Sequence, residues 1–136
     1  MTVQEYLGQV KRIDTKISGL LKKSEMLRQS LYGRGINYEQ SGVHTHGTGD
    51  GIEAVLVKIA DYERETDTLI DELVTKRLEI EKTIATVPEE KGRTVLEHRY
   101  LYLQSWEQIS AEMGYSKPHL YRLHREALQK IKYDSK

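Results

Sequence analysis

Cysteine and phenylalanine are both absent, and the 136 residues hold only two prolines and one tryptophan. Without cysteine there is no disulfide and no thiolate metal site, and the redox compartment is unmarked. The two prolines are Pro88 and Pro118, so no proline forces a break in the first 87 residues. No apolar run approaches the ~20 residues of a membrane span. The opening MTVQEYLGQVKR lacks a signal-peptide core, so the expected location is the cytoplasm, with no membrane partner. P-loop, GxSxG, HExxH and zinc-ligand spacings are missing, which points away from an enzyme and from any catalytic, cofactor or metal site. Net charge is zero, with 38% hydrophobic and 31% charged residues. Typical domains carry ~45–50% apolar and ~25% charged residues, so thin helical layers are expected rather than a thick core.

The zero net charge conceals an asymmetry. Residues 1–90 carry 12 Lys/Arg against 16 Asp/Glu, and residues 91–136 carry 9 against 5. A basic end on an acidic body is a common footprint of nucleic-acid binding.

Two long helical seams are present. Val3, Tyr6, Val10, Ile13, Ile17, Leu20, Ser24, Leu27 and Leu31 alternate spacings of three and four, the signature of an a/d heptad stripe. Ile52, Val55, Ile59, Tyr62, Thr66, Leu69, Leu73, Lys76, Ile80, Thr83 and Val87 repeat it, with Leu56, Ile70, Val74, Leu78 and Ile84 widening the stripe. Between them, residues 32–51 hold six glycines and read as a long loop. Asp50 and Glu53 resemble a capping box at the start of the second helix, and Pro88 ends it. The expectation is an all-α chain: residues 1–87 form an antiparallel helical hairpin that also makes a homodimer or higher homo-oligomer, and residues 88–136 form a separate domain.

That last part has shorter pieces. Residues 89–103 read as one helix. Ser105 with Gln108 fits a capping box, Gly114 a helix stop, and Ser116 a second N-cap ahead of Lys117 and Pro118. Helix, three-residue turn and longer helix make a helix-turn-helix, whose second helix would lie in a major groove. Its expected solvent-facing residues are Lys117, His119, Tyr121, Arg122, His124 and Arg125, followed by Lys130 and Lys132, with Ser116 at the cap. Arg and Lys suit guanine O6 and N7, whereas His and Tyr more often reach phosphate or sugar. Lys91, Arg93, Arg99, Lys130 and Lys132 would supply electrostatic capture of double-stranded DNA. A plain helical bundle with a solvated basic helix is the bland alternative.

Other signals are weaker. His44 and His46 lack a third ligand nearby, and a polar loop explains them better than a metal. The acidic run from Asp61 to Glu72 reads as a solvated face. Trp106 reads as a helix-junction residue.

The stretch RTVLEHRYLYLQSWEQISAEMGYSKPHLYRLHREALQKIK, residues 93–132, resembles region 4 of bacterial sigma factors. The likeness implies base contacts at Lys117 and Arg122, backbone contacts near His119 and Tyr121, and a phosphate close to Arg99. Pro118 stands where an acidic residue is usual, so a −35 preference is not implied. The whole chain is similar to small phage and prophage proteins related to the ArpU and RinA regulators, through the Ser41-Gly42 loop, the long second helix and the Trp106–Ser110 and Gly114–Ser116 core. This resemblance implies a regulator of late phage transcription inside a bacterial host, with RNA polymerase as a further partner. The competing expectation is an adaptor whose hairpin binds a protein partner without specific DNA readout.

Overall fold

A computed structural model describes the backbone of residues 1–33 and 46–133, and the side chains of all of these except 33 and 46–50. The described residues are all helix and connecting turn, with no strand. None of their helices is long and apolar enough to cross a membrane. The chain divides into two compact units: Met1–Asp14 with Glu72–Lys136, and Thr15–Asp71.

The first seam forms α1 (Val3–Leu7) and α2 (Gln9–Gly33), interrupted only at Gly8. Thr2 caps α1 by accepting from the Glu5 amide. The second seam forms α3 (His46–Ile84), which begins before Asp50. Asp50 is therefore inside the helix and not its cap, and Gly47, Gly49 and Gly51 lie within the helix rather than in the expected loop. Extending an existing helix costs little per residue, and each glycine weakens it by only about 1 kcal/mol. The Ser41-Gly42 segment and His44 lie outside the described residues, and so does the side chain of His46.

In the unit Thr15–Asp71, Ile17, Leu20 and Ser24 of α2 and Ile59 and Thr66 of α3 are buried. Arg28 pairs with Glu63, and Lys23 and Lys58 lie over the Tyr62 ring. Thr66 satisfies its hydroxyl by donating to the Tyr62 carbonyl, whereas buried Ser24 Oγ has no hydrogen-bond partner among the described residues.

In the other unit, Leu7, Val10 and Ile13 are buried, as are Leu73, Ile80 and Ile84 of α3. Tyr6 sits beside Thr83 with 3.5 Å between hydroxyls. Lys76, the charged seam residue, keeps its ammonium at Glu79 and over the Tyr6 ring while its stem is covered. Arg93 donates to the Val87 and Pro88 carbonyls and closes the end of α3. Arg93 is half-buried there and is engaged through one guanidinium nitrogen.

The remaining elements are α4 (Glu90–Leu96), a π-helical turn (Glu97–Leu101), α5 (Trp106–Met113) and α6 (Lys117–Lys130). Residues 89–103 are thus not one regular helix. The Tyr102 amide bonds back five residues to Glu97, and Leu103 then adopts φ +56°. A non-glycine residue there costs about 1–2 kcal/mol, offset locally by Arg99, which donates to the Gln104 carbonyl. Val95, Ile109 and Leu120 are fully buried together, with Trp106, Met113, Tyr115 and Leu123 packed round them. Gly92 lets α4 approach α6, since a Cβ there would meet that of Ala127 at 3.1 Å. After α6 the chain stays attached to its own unit: the Lys132 amide donates to Thr86 Oγ1, and Tyr133 stacks on Tyr6.

Candidate nucleic-acid interface

The joint between α5 and α6 is built by local chemistry. Ser105 and Gln108 form a reciprocal capping box, each accepting from the other's backbone amide. Gly114 ends α5 at φ +74°, a conformation that costs glycine nothing. Ser110 then donates to the Tyr115 carbonyl and holds the turn. Ser116 caps α6 by accepting from the His119 amide, and Pro118 occupies the first turn, where a missing amide is harmless.

Leu120, Ala127 and Ile131 set the buried face of α6. Arg122 and Arg125 fall on the opposite face and are exposed. Tyr121 is 43% exposed and meets the Trp106 ring edge-on. His119 is half-buried against Tyr115, and its Nδ1 accepts from Arg122. Lys132 is exposed beyond the helix. Lys91 lies over the Tyr115 ring.

One expected contact is placed differently, and two others make partners within the chain. His124 is not on the solvent face. It lies four residues after Leu120, stacks on Tyr100, and its Nε2 is 2.7 Å from the Tyr100 hydroxyl. Trp106 closes over it edge-on. Burial, reinforced by the nearby Arg99 charge, lowers the His124 pKa to about 4, so the ring is neutral and shares a hydrogen bond with the phenol. Burial also raises the Tyr100 phenol above its ordinary value. Arg99 is half-buried, with its guanidinium 4.8 Å from the Trp106 ring centroid. Lys130 is paired with Glu89 at 2.5 Å.

One member of the site was not anticipated. Glu107, on the first turn of α5, pairs with Lys117, on the first turn of α6, at 2.6 Å. Lys117 holds the Glu107 carboxyl below its ordinary range by hydrogen bonding, and Glu107 raises Lys117 in return. A separation of ten residues across a turn follows no helix periodicity, so only the folded arrangement brings the two together. Trp106 does take the junction position expected of it, between Arg99, Tyr121 and His124.

The arrangement offers a capped helix seated on a small core, with a cationic outer edge and a fixed carboxylate at one end. The family described as "Protein of unknown function (DUF1492)" matches residues 38–132, and the chain belongs to it. No curated protein and no solved structure matches the chain.

Proposed function

We propose that this DUF1492 protein is a phage-encoded, sequence-specific DNA-binding transcriptional regulator that uses α5, the Gly114 turn and α6 as sigma region 4 uses its helix-turn-helix. The observation that carries the reading is the outward placement of Arg122 and Arg125 on a helix whose inner face is anchored by Leu120 and Ala127. Guanidinium groups on such an edge reach guanine O6 and N7 in a major groove. The likeness of residues 93–132 to sigma region 4, and of the chain to ArpU- and RinA-type regulators, makes late phage genes the proposed targets.

The test is selection from a random duplex pool, followed by gel shifts on the recovered motif and on a random duplex. Arg122→Ala is expected to cost about 1–3 kcal/mol on the motif and relax one position of it. Lys132→Ala should weaken both duplexes alike and lower the salt slope by about 1. Equal losses on both duplexes for Arg122→Ala would remove its reading role.

One recognition helix gives limited affinity, so the proposed binding species is a homodimer joined through the long helices. Sedimentation at tens of micromolar should give twice the chain mass, and a monomer would overturn this. An adaptor role toward RNA polymerase is the second reading. It is favoured by the exposed apolar side chains of α3, Leu56, Val57 and Ile70 in one unit and Val74 and Leu78 in the other. Recovery of no motif from the pool would favour it.

A further inference from the structure

We propose that the unit Thr15–Asp71 packs face to face on a second copy of itself, about a two-fold axis through its Arg28–Glu63 ion pair, so that Leu21 of one chain meets Leu56 of the other. This rests on the homodimer proposed above and gives it a surface and a register; it is independent of DNA reading.

The heptads carry the proposal. The contacts Tyr6–Thr83 and Arg28–Glu63 run in opposite chain directions, so the two helices pair antiparallel. In such a pair the buried seam is flanked by one row of side chains on each side. Within this unit one row holds Lys16, Lys23 and Ser30 of α2 with Lys58 and Glu65 of α3, all polar and exposed. The other holds Leu21 and Arg28 of α2 with Leu56, Glu63 and Ile70 of α3. The contact between Arg28 and Glu63 shows that this second set shares one side of the layer. Three of its five members are apolar, yet Leu21 is 55%, Leu56 51% and Ile70 43% exposed. A two-stranded pair needs only its seam to be apolar. A seam widened along one flank is the pattern of a helix in a larger bundle.

The order along the row says what covers it. Residues seven apart recur about 10.5 Å along a helix. One heptad to one side of the ion pair stand Leu21 and Ile70, and one heptad to the other side stands Leu56. Apolar, charged, apolar reads alike from either end, which makes the row self-complementary under a two-fold axis. That axis lays α2 of one copy over α3 of the other. It sets Leu21 on the partner's Leu56 and Arg28 over the partner's Glu63, so the two ion pairs close a ring of alternating sign. The face is about 30 Å long and about 20 Å wide. It offers about 600 Å² on each copy, which reaches the ~1,200 Å² total of a stable interface.

The cysteine-free chain makes the register testable. Leu21→Cys and Leu56→Cys are prepared as separate full-length chains and oxidised alone and mixed. Within one chain the two positions stand two heptads, about 21 Å, apart along the helices, beyond the ~7 Å between Cα atoms that a disulfide spans. Like positions across the axis are as far apart. Neither chain alone should crosslink, and the mixture should give a linked dimer. In sedimentation, Leu56→Lys and Ile70→Lys should raise the dimer dissociation constant by roughly ten-fold or more. Val57→Lys, at an exposed apolar position outside the row, should leave it unchanged. All three residues are exposed, so unchanged helical circular dichroism serves as the folding control. A dimer whose mixed cysteines stay unlinked, or one indifferent to Ile70→Lys, overturns this inference and leaves the homodimer standing. A wild-type monomer overturns both and returns the row to a partner of another kind, while pool selection reads DNA recognition separately.

Discussion

Leu120→Ala is expected to lower the unfolding free energy by about 2–5 kcal/mol, the largest effect of any single truncation on α6. Leu120 has no exposed surface and lies directly against Val95 and Ile109. Truncation removes the burial of the side chain and leaves a cavity that three short helices cannot readily fill. The loss compares with the whole stability of an ordinary domain, about 5–15 kcal/mol. Urea unfolding followed by Trp106 fluorescence measures it, since Trp106 packs on the same cluster. Motif binding should fall in step with the folded fraction, whereas Arg122→Ala should lose binding with its unfolding midpoint unmoved. A Leu120→Ala stability within about 0.5 kcal/mol of wild type, the scatter of surface substitutions, would mean that α6 is not seated by this cluster.

Much of the fold was written in periodicity. From Val10 through Ser24 every seam position is buried, and so are Ile59, Thr66, Leu73 and Ile80 on α3. A 3.5-residue repeat is a property of the chain itself, so it is visible before folding. The capping box at Ser105, the stop at Gly114 and the cap at Ser116 are equally local and are equally visible. Of the residues that widen the stripe, only Ile84 is buried. Leu56, Ile70, Val74 and Leu78 are apolar yet exposed, because side-chain chemistry does not say which neighbours are present. The π-helical turn was also hidden. It shifts residues after Glu97 out of the regular repeat, and nothing in the polarity of Glu97, His98 or Arg99 marks it.

The site was partly legible for the same reasons. Arg122 and Arg125 could be placed outward because Leu120 and Ala127 define the inner face. His124 was assigned to solvent by its polarity, although Leu120, His124, Ala127 and Ile131 keep the 4-3-4 spacing of a buried stripe. The period held the correct answer and the residue type obscured it. The Glu107–Lys117 pair had no signal of either kind.

That placement of His124 carries the second large prediction. In the folded chain its pKa is about 4, against about 6.5 in an unfolded chain. Between those values the unfolded chain takes up a proton that the folded chain refuses. Stability is therefore full above pH 6.5, declines as pH falls toward 4, and levels off for this group below that. At about 1.4 kcal/mol per pKa unit the ceiling is about 3 kcal/mol. The ring is only partly buried, so screening reduces the expected loss to about 1–2 kcal/mol. The comparison is made between wild type and His124→Gln, which keeps a hydrogen-bonding group for the Tyr100 hydroxyl. Urea midpoints at pH 7 and pH 4.5 should show the wild type losing about 1–2 kcal/mol more than the variant. Every other ionisable group is common to both chains and cancels in the difference. A histidine on the duplex-facing edge would behave oppositely, gaining DNA affinity on protonation at little cost to the fold. Equal losses in the two chains would return His124 to that edge and dissolve the Tyr100–His124–Trp106 junction as a support for α6.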